Sequence, residues 1–116
     1  MRESIRDKER LVHILRSICD VEEFTQGFEK DTLPKDKLHY YAVVKAIEII
    51  GEAAYMLTND FKEAHPETPW KMIAGMRHYI VHEYYQVDSR VVWEVITCDL
   101  PQLKEQISDY IEELEA

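Results

Sequence analysis

Apolar residues recur at steps of three and four along most of the chain, which is the spacing of one face of an α-helix. The first such segment spans about residues 4–28. The alternation typical of β-strands is lacking in the long segments. The first apolar stripe consists of Leu11, Ile14, Leu15, Ile18, Val21 and Phe24. The pattern therefore predicts an all-α protein whose first helix is amphipathic.

The second segment, about residues 36–57, carries apolar residues on more than one side. Its main stripe is Tyr40, Val43, Val44, Ile47, Ile50, Ala54 and Leu57, and a second stripe is Ile49, Ala53 and Met56. Such a helix is either central in its bundle or covered on its far side by another subunit. Gly51 lies in the middle of this helix at a cost of about 1 kcal/mol relative to Ala. The presence of glycine here is explained by close contact with another helix at Gly51 and Ala54. The alternative explanation is neutral drift.

Three further helices are predicted after residue 57. Residues Thr58 to Asp60 end the second helix or cap a short one that reaches His65. A fourth helix runs from about Trp70 to Glu83 or slightly beyond. The last helix is capped by Asp88 or Ser89 and runs to about Glu115, with a kink or restart at Pro101. Its apolar seam is Ile96, Leu100, Leu103, Ile107, Tyr110 and Leu114. The sequence predicts an antiparallel bundle of four to five helices, forming one domain over residues 1–116.

Charge and composition narrow the class of protein. The 116 residues carry a formal charge of −9, which argues against generic wrapping of nucleic acid by a broad basic surface. No run approaches the ~18 apolar residues of a membrane helix. Cys19 and Cys98 have no metal-ligand spacing, so reduced thiols are expected. These features predict a small cytoplasmic protein that does not enter the membrane. When the chain is divided into residues 1–30, 31–70, 71–93 and 94–116, only the segment 71–93 is net positive, which makes it the first place to look for an anionic ligand.

Arg77 lies inside an apolar stripe of the fourth helix rather than on its polar side. Two interpretations remain open at this point. The side chain either snorkels to solvent or pairs with a buried glutamate such as Glu48 or Glu52. Alternatively, it is a partly desolvated cation that binds a phosphate with its bidentate fork.

His78 and His82 are one helical turn apart and share a face, about 100–140° from Arg77. Histidine both takes and gives a proton near neutral pH, so these residues are candidates for acid–base chemistry. Two surface or hydrogen-bonded histidines are the alternative. A zinc site would need a third ligand, and no H-E-x-x-H is present, so neither a metal nor a cofactor is predicted. Tyr84 would by default be an aromatic residue at the edge of the core.

Arg77, His82 and Tyr84 together resemble the Arg-x-x-x-x-His-x-Tyr motif of HepT-like toxins, a branch of the HEPN ribonuclease superfamily. The resemblance covers about residues 45–105. It includes Ile49 to Ala53, Pro66, Pro69-Trp70, Gly75 to Arg77, Val81 to Tyr84, Asp88, Val92 to Glu94, and Asp99 to Pro101. The residue after the arginine, often Asn or Asp in the superfamily, is His78 here.

The resemblance implies a dimerising helical bundle whose two motif copies line a shared cleft. It also implies a metal-independent endoribonuclease in which a ribose 2′-OH attacks the adjacent phosphorus. His82 would transfer the proton, and Arg77 would stabilise charge on the phosphoryl oxygens. His78 would position the phosphate or act as the complementary acid or base. Tyr84 would bind the phosphate or orient His82.

The resemblance also implies partners. Single-stranded or loop RNA is the expected substrate. In related type II or type VII-like toxin–antitoxin systems, a nucleotidyltransferase antitoxin of the MntA kind neutralises the toxin, and the motif tyrosine, here Tyr84, is the candidate AMP acceptor. Assembly beyond a homodimer is left open. One alternative function is a catalytically silent HEPN module that serves as partner or adaptor of a nucleotidyltransferase. The other is a structural bundle with an accidental motif, which the many matching positions argue against.

Overall fold

The computed structural model describes residues 2–82 and 88–116. All regular elements in these ranges are helical, which confirms the predicted all-α class. The α-helices are α1 (Arg2–Phe24), α2 (Lys37–Met56), α3 (Asn59–Ala64), α4 (Trp70–His82), α5 (Ser89–Glu94) and α6 (Leu100–Glu115). A 3₁₀-helix (Leu33–Lys35) precedes α2, and a π-helical segment (Val95–Asp99) joins α5 to α6. Among the described residues, no helix is both long and apolar enough to cross a bilayer.

Helix α1 is shorter than predicted, because it ends at Phe24 and not near residue 28. The Thr25 hydroxyl donates to the Val21 carbonyl at 2.7 Å, so a side chain bonds a carbonyl of the last turn. Gly27 then adopts a φ of +82°, a left-handed conformation that glycine allows and other residues rarely take. The Thr25 hydrogen bond and the left-handed turn at Gly27 therefore end α1 before residue 28, where the apolar pattern predicts its end.

Helix α2 packs between α1 and α4, and α6 packs against α1. The residues of the main stripe of α2 are all buried, as is Ala53. Ile49 and Met56 of the second stripe remain exposed. The first of the two sequence-based interpretations is thus confirmed, since α2 is the central helix of the bundle. The exposed pair is compatible with a second copy of the chain, and dimerisation stays a prediction.

Thr58 connects α2, α3 and α1. Its hydroxyl oxygen accepts a hydrogen bond from Phe61 N at 3.2 Å, which caps α3 as the sequence predicts. The same hydroxyl donates to Asp7 Oδ2 at 2.7 Å, and the Thr58 backbone N–H donates to Asp7 Oδ1 at 3.0 Å. Asp7 is only 4% exposed. Two hydrogen bonds across 51 residues of sequence therefore fix the first turns of α1 against the α2–α3 junction.

The last helical stretch begins where the sequence predicts. The Asp88 carboxylate accepts a hydrogen bond from Arg90 N at 2.9 Å and caps α5. Through the π-helical segment the spacing of the backbone bonds widens, and Leu100 N donates to the Val95 carbonyl. Pro101 then lies in the first turn of α6, where its missing N–H costs little. The predicted restart at Pro101 is confirmed.

Candidate active site

The position of Arg77 is set by the crossing of α2 and α4 at Gly51. A Cβ atom added at Gly51 would lie 2.7 Å from Arg77 N, 2.8 Å from Arg77 Cβ and 3.0 Å from Arg77 Cα. Real Cβ atoms essentially never approach other atoms closer than 3.0 Å. Only glycine allows the two helices to come this close. The close contact predicted at Gly51 is therefore confirmed, and its partner is the backbone of the motif arginine.

The Arg77 guanidinium contacts two side chains of α2. Its Nη1 donates to Glu52 Oε2 at 2.9 Å, and its Cζ lies 4.2 Å from the centroid of the Tyr55 ring, a cation–π distance. The Arg77 side chain is 31% exposed and that of Glu52 is 53% exposed. The predicted pairing with Glu52 is confirmed, although Glu52 is not buried. Glu48, the other candidate, lies 3.4 Å from Lys45.

These contacts hold the guanidinium without using all of its hydrogen-bonding capacity. A guanidinium carries five N–H donors in a planar fork, and the ion pair with Glu52 engages Nη1. The half-buried position reduces the access of water, which strengthens the attraction of the cation for an anion. The first interpretation of Arg77, pairing with a glutamate, is therefore observed. Binding of a phosphate by its remaining donors stays a prediction.

The other predicted site residues lie at the end of α4 or beyond it. His78 and His82 belong to α4, so the helix is continuous from Arg77 to His82. Five residues along an α-helix correspond to about 7.5 Å of rise and about 140° of rotation. The side chains of His78 and His82 lie outside the described part of the structure, as does Tyr84 as a whole. Their catalytic roles therefore stay predictions.

A groove beside Arg77 contains residues that the sequence argument missed. It has a volume of about 460 Å³ and is lined by Tyr55, Lys62, Trp70, Lys71, Ala74, Gly75 and Arg77. We call it the Tyr55 groove. Its cations come from α3 and α4, and their proximity depends on how these helices pack. The net positive charge of residues 71–93 was the one sequence signal that pointed here. Within the described residues, no group of three or more His, Cys, Asp or Glu side chains could hold a metal ion.

Comparison with known proteins identifies the family of this chain. A family model described as "Ribonuclease HepT-like" matches residues 14–110. The "Probable ribonuclease HepT" of Thermococcus cleftensis is 43% identical over 97 residues, which is 84% of this chain and 88% of that protein. The "Putative RNase MJ1380" of Methanocaldococcus jannaschii is 38% identical over 97 residues, 84% of this chain and 89% of that protein. No solved structure gives a significant match. The chain belongs to the HepT-like ribonuclease family.

Proposed function

We propose that this protein is the toxin of a toxin–antitoxin pair and that it cleaves RNA as a metal-independent endoribonuclease. The observation that carries the proposal is the position of Arg77. Its guanidinium is half-buried, held by Glu52 and Tyr55, and open on one side to a groove. In a member of a ribonuclease family, such a cation is suited to binding the phosphate at which the chain is cut.

The proposed reaction is a transesterification followed by release of the product strand. The ribose 2′-oxygen bonds to the adjacent phosphorus, and the bond from phosphorus to the 5′-oxygen breaks. One strand then ends in a 2′,3′-cyclic phosphate and the other in a 5′-hydroxyl. His82 takes the proton from the 2′-OH or gives one to the leaving oxygen, and His78 acts as the complementary group or positions the phosphate. Arg77 stabilises the charge that develops on the phosphoryl oxygens.

We place this site in a cleft between two copies of the chain. Arg77 and His82 project about 140° apart on one helix, which is awkward for a single shallow site. A twofold arrangement would bring the arginine of one copy towards the histidine of the other. Ile49 and Met56, the exposed apolar residues of α2, give such a dimer a surface to bury. Tyr84 would contact the phosphate or orient His82 in that cleft.

The test is cleavage of single-stranded RNA by the purified protein in the presence of EDTA. We expect products with 2′,3′-cyclic phosphate ends, identified by their resistance to phosphatase until the ring is opened. Arg77→Ala and His82→Ala should each lower the rate by about 10²- to 10⁴-fold, the range for charge stabilisation and acid–base catalysis. Arg90→Ala and His13→Ala are matched controls, since both residues are exposed and lie outside the motif.

Unchanged circular dichroism spectra would show that the two motif variants are folded. If RNA is cut equally well by Arg77→Ala and His82→Ala, the assignment of the site is wrong. If the wild-type protein leaves RNA intact, the proposed activity itself is wrong.

We further propose that a nucleotidyltransferase antitoxin neutralises the protein by transferring AMP to Tyr84. The added phosphate would place negative charge near Arg77 and obstruct the approach of RNA. Co-expression with a nucleotidyltransferase encoded beside the gene should restore growth of the host. It should also increase the intact mass by one AMP group. The Tyr84→Phe protein should show no such increase, and an increase in that variant would place the modification elsewhere.

A second candidate function is a binding module without catalysis, and two observations favour it. The formal charge of −9 repels RNA outside a local basic site, and Arg77 already carries a carboxylate partner. Induced expression in the host distinguishes the two functions. Growth arrest that is relieved by His82→Ala supports the ribonuclease, whereas growth that is unaffected by the wild-type protein supports the adaptor.

A further inference from the structure

The Tyr55 groove concentrates positive charge on an otherwise acidic molecule. Lys62 of α3 and Lys71 and Arg77 of α4 line it, and no acidic side chain is among its described lining residues. Glu52 pairs with Arg77 at 2.9 Å. Lys62 Nζ donates to the Tyr55 backbone carbonyl at 3.4 Å, which holds the ammonium group against the last turn of α2. The groove therefore retains an excess of positive charge and is suited to an anionic ligand.

The groove also contains an exposed aromatic surface. Tyr55 is 53% exposed as a residue, and the Arg77 Cζ lies over its ring, 4.2 Å from the centroid. Trp70, the other aromatic lining residue, is buried, and its indole N–H donates to the His65 carbonyl at 2.8 Å. Trp70 thus belongs to the core, while Tyr55 is the exposed aromatic residue that lines the groove. Cations next to an exposed aromatic ring are the usual means of binding single-stranded nucleic acid.

Two of the cations are separated along α4. Lys71 and Arg77 are six residues apart on α4, about 9 Å along the helix axis, so they can contact different phosphates of one strand. A base can stack on Tyr55 only if it is free of a duplex, because paired bases hide their faces in the helical stack. The chemistry therefore favours a single strand over a double helix.

We propose that the Tyr55 groove binds the RNA strand adjacent to the phosphate that Arg77 contacts. Lys62 and Lys71 neutralise phosphates on that side of the cut, and Tyr55 stacks against a base. This inference rests on the proposed ribonuclease function, and it adds the path of the substrate and the residues that select single-stranded RNA. Lys62, Lys71 and Tyr55 are binding residues here, since none of them is required to move a proton.

Equilibrium binding to a fluorescein-labelled 2′-O-methyl oligonucleotide tests the groove apart from catalysis. The probe has no free 2′-OH and cannot be cut by the proposed reaction. The double variant Lys62→Gln/Lys71→Gln should raise the Kd at least tenfold at low salt. It should also reduce the slope of log K against log salt by about 1.4, because each phosphate contact on a single strand contributes about 0.7. Tyr55→Leu should raise the Kd by about tenfold without changing that slope.

Lys37→Gln is the matched control. Lys37 is exposed at the start of α2, 18 residues and about 27 Å of helix away from Tyr55. The Lys37→Gln protein should therefore bind the probe with the Kd and the salt slope of the wild type. Groove variants that bind like the Lys37 control would overturn the proposal even if the wild-type protein cuts RNA. The opposite result is also informative. If the groove variants bind the probe weakly but the wild-type protein does not cut RNA, the groove binds RNA as proposed and the proposed ribonuclease activity is refuted. A Tyr55→Leu protein that changes oligomeric state in sedimentation would assign this face to a subunit interface and overturn the proposal.

Discussion

Gly51→Ala is the substitution that most directly tests how the arginine is positioned. The new methyl group would lie 2.7 Å from Arg77 N, and ordinary contacts begin at 3.4 Å. The atoms it meets are the backbone and Cβ of Arg77, which cannot rotate away as the end of a long side chain can. Helix α4 must therefore move by about 0.7 Å relative to α2, or the contact remains strained.

The expected change in the free energy of unfolding of Gly51→Ala follows from two opposing effects. Alanine favours a helix interior over glycine by about 1 kcal/mol. Overpacking a close contact costs about 1–3 kcal/mol, and contact with backbone atoms places this case at the upper end. We expect the free energy of unfolding to fall by about 1–2 kcal/mol. For a domain of this size, that lowers Tm by about 4–8 °C.

Gly75→Ala is the internal control, because Gly75 also lies in the interior of a helix, α4. A Cβ added at Gly75 would meet no heavy atom of the described residues outside its own helix turn within 4 Å, so only the gain in helix propensity of about 1 kcal/mol remains. Thermal and urea unfolding followed by circular dichroism should therefore shift in opposite directions for the two variants. If both substitutions stabilise the protein to the same degree, the close approach of α4 to Gly51 is refuted. Gly51→Ala should also slow RNA cleavage, since the displacement moves Arg77.

Two further predictions concern stability. Asp7→Ala should lower the free energy of unfolding by about 3 kcal/mol, because it leaves the Thr58 donors without their charged acceptor, and Glu9→Ala on the same helix should have little effect in the same urea titration. Burial, and then the charge of Glu94, raise the pKa of Asp99 above its usual value of 3.8. The unfolded chain therefore loses the Asp99 proton first, and the folded protein loses stability as the pH rises from 3.8 to the raised pKa. Asp99→Asn should melt higher than the wild type at neutral pH, and the difference should vanish below pH 3.8; a constant difference across this range would contradict the assignment.

Local patterns in the sequence were sufficient to predict α2, α3 and α4, since the apolar stripes of α2 and α4 and the Thr58 cap of α3 are determined by neighbouring residues. The turn after Phe24 was missed, because the Thr25 hydroxyl and the left-handed Gly27 act against an apolar pattern that continues. The close contact at Gly51 was predicted, but its partner could not be, because Arg77 meets it only through the crossing of two helices.

In the candidate site too, residues brought together by helix packing could not be predicted from the sequence. Arg77 could be recognised from its motif and from its place in an apolar stripe. Tyr55, Lys62 and Lys71 could not, because they come from three different helices and no spacing rule connects them. Such a groove depends on tertiary packing, which a helical period does not encode.

The π-helical segment allows the C-terminal part of the chain to tolerate the deletion of one residue, which the other described helices do not. A π turn accommodates one residue more than an α turn over the same length, so the widened stretch Val95–Asp99 stores an extra residue. Deletion of one residue there would convert the π-helical segment to α-helix. Leu103 and Ile107 would still face the core. Loss of one residue within α2 would instead rotate all that follows by about 100°. Length variation among proteins of this fold is therefore expected to collect just before Pro101.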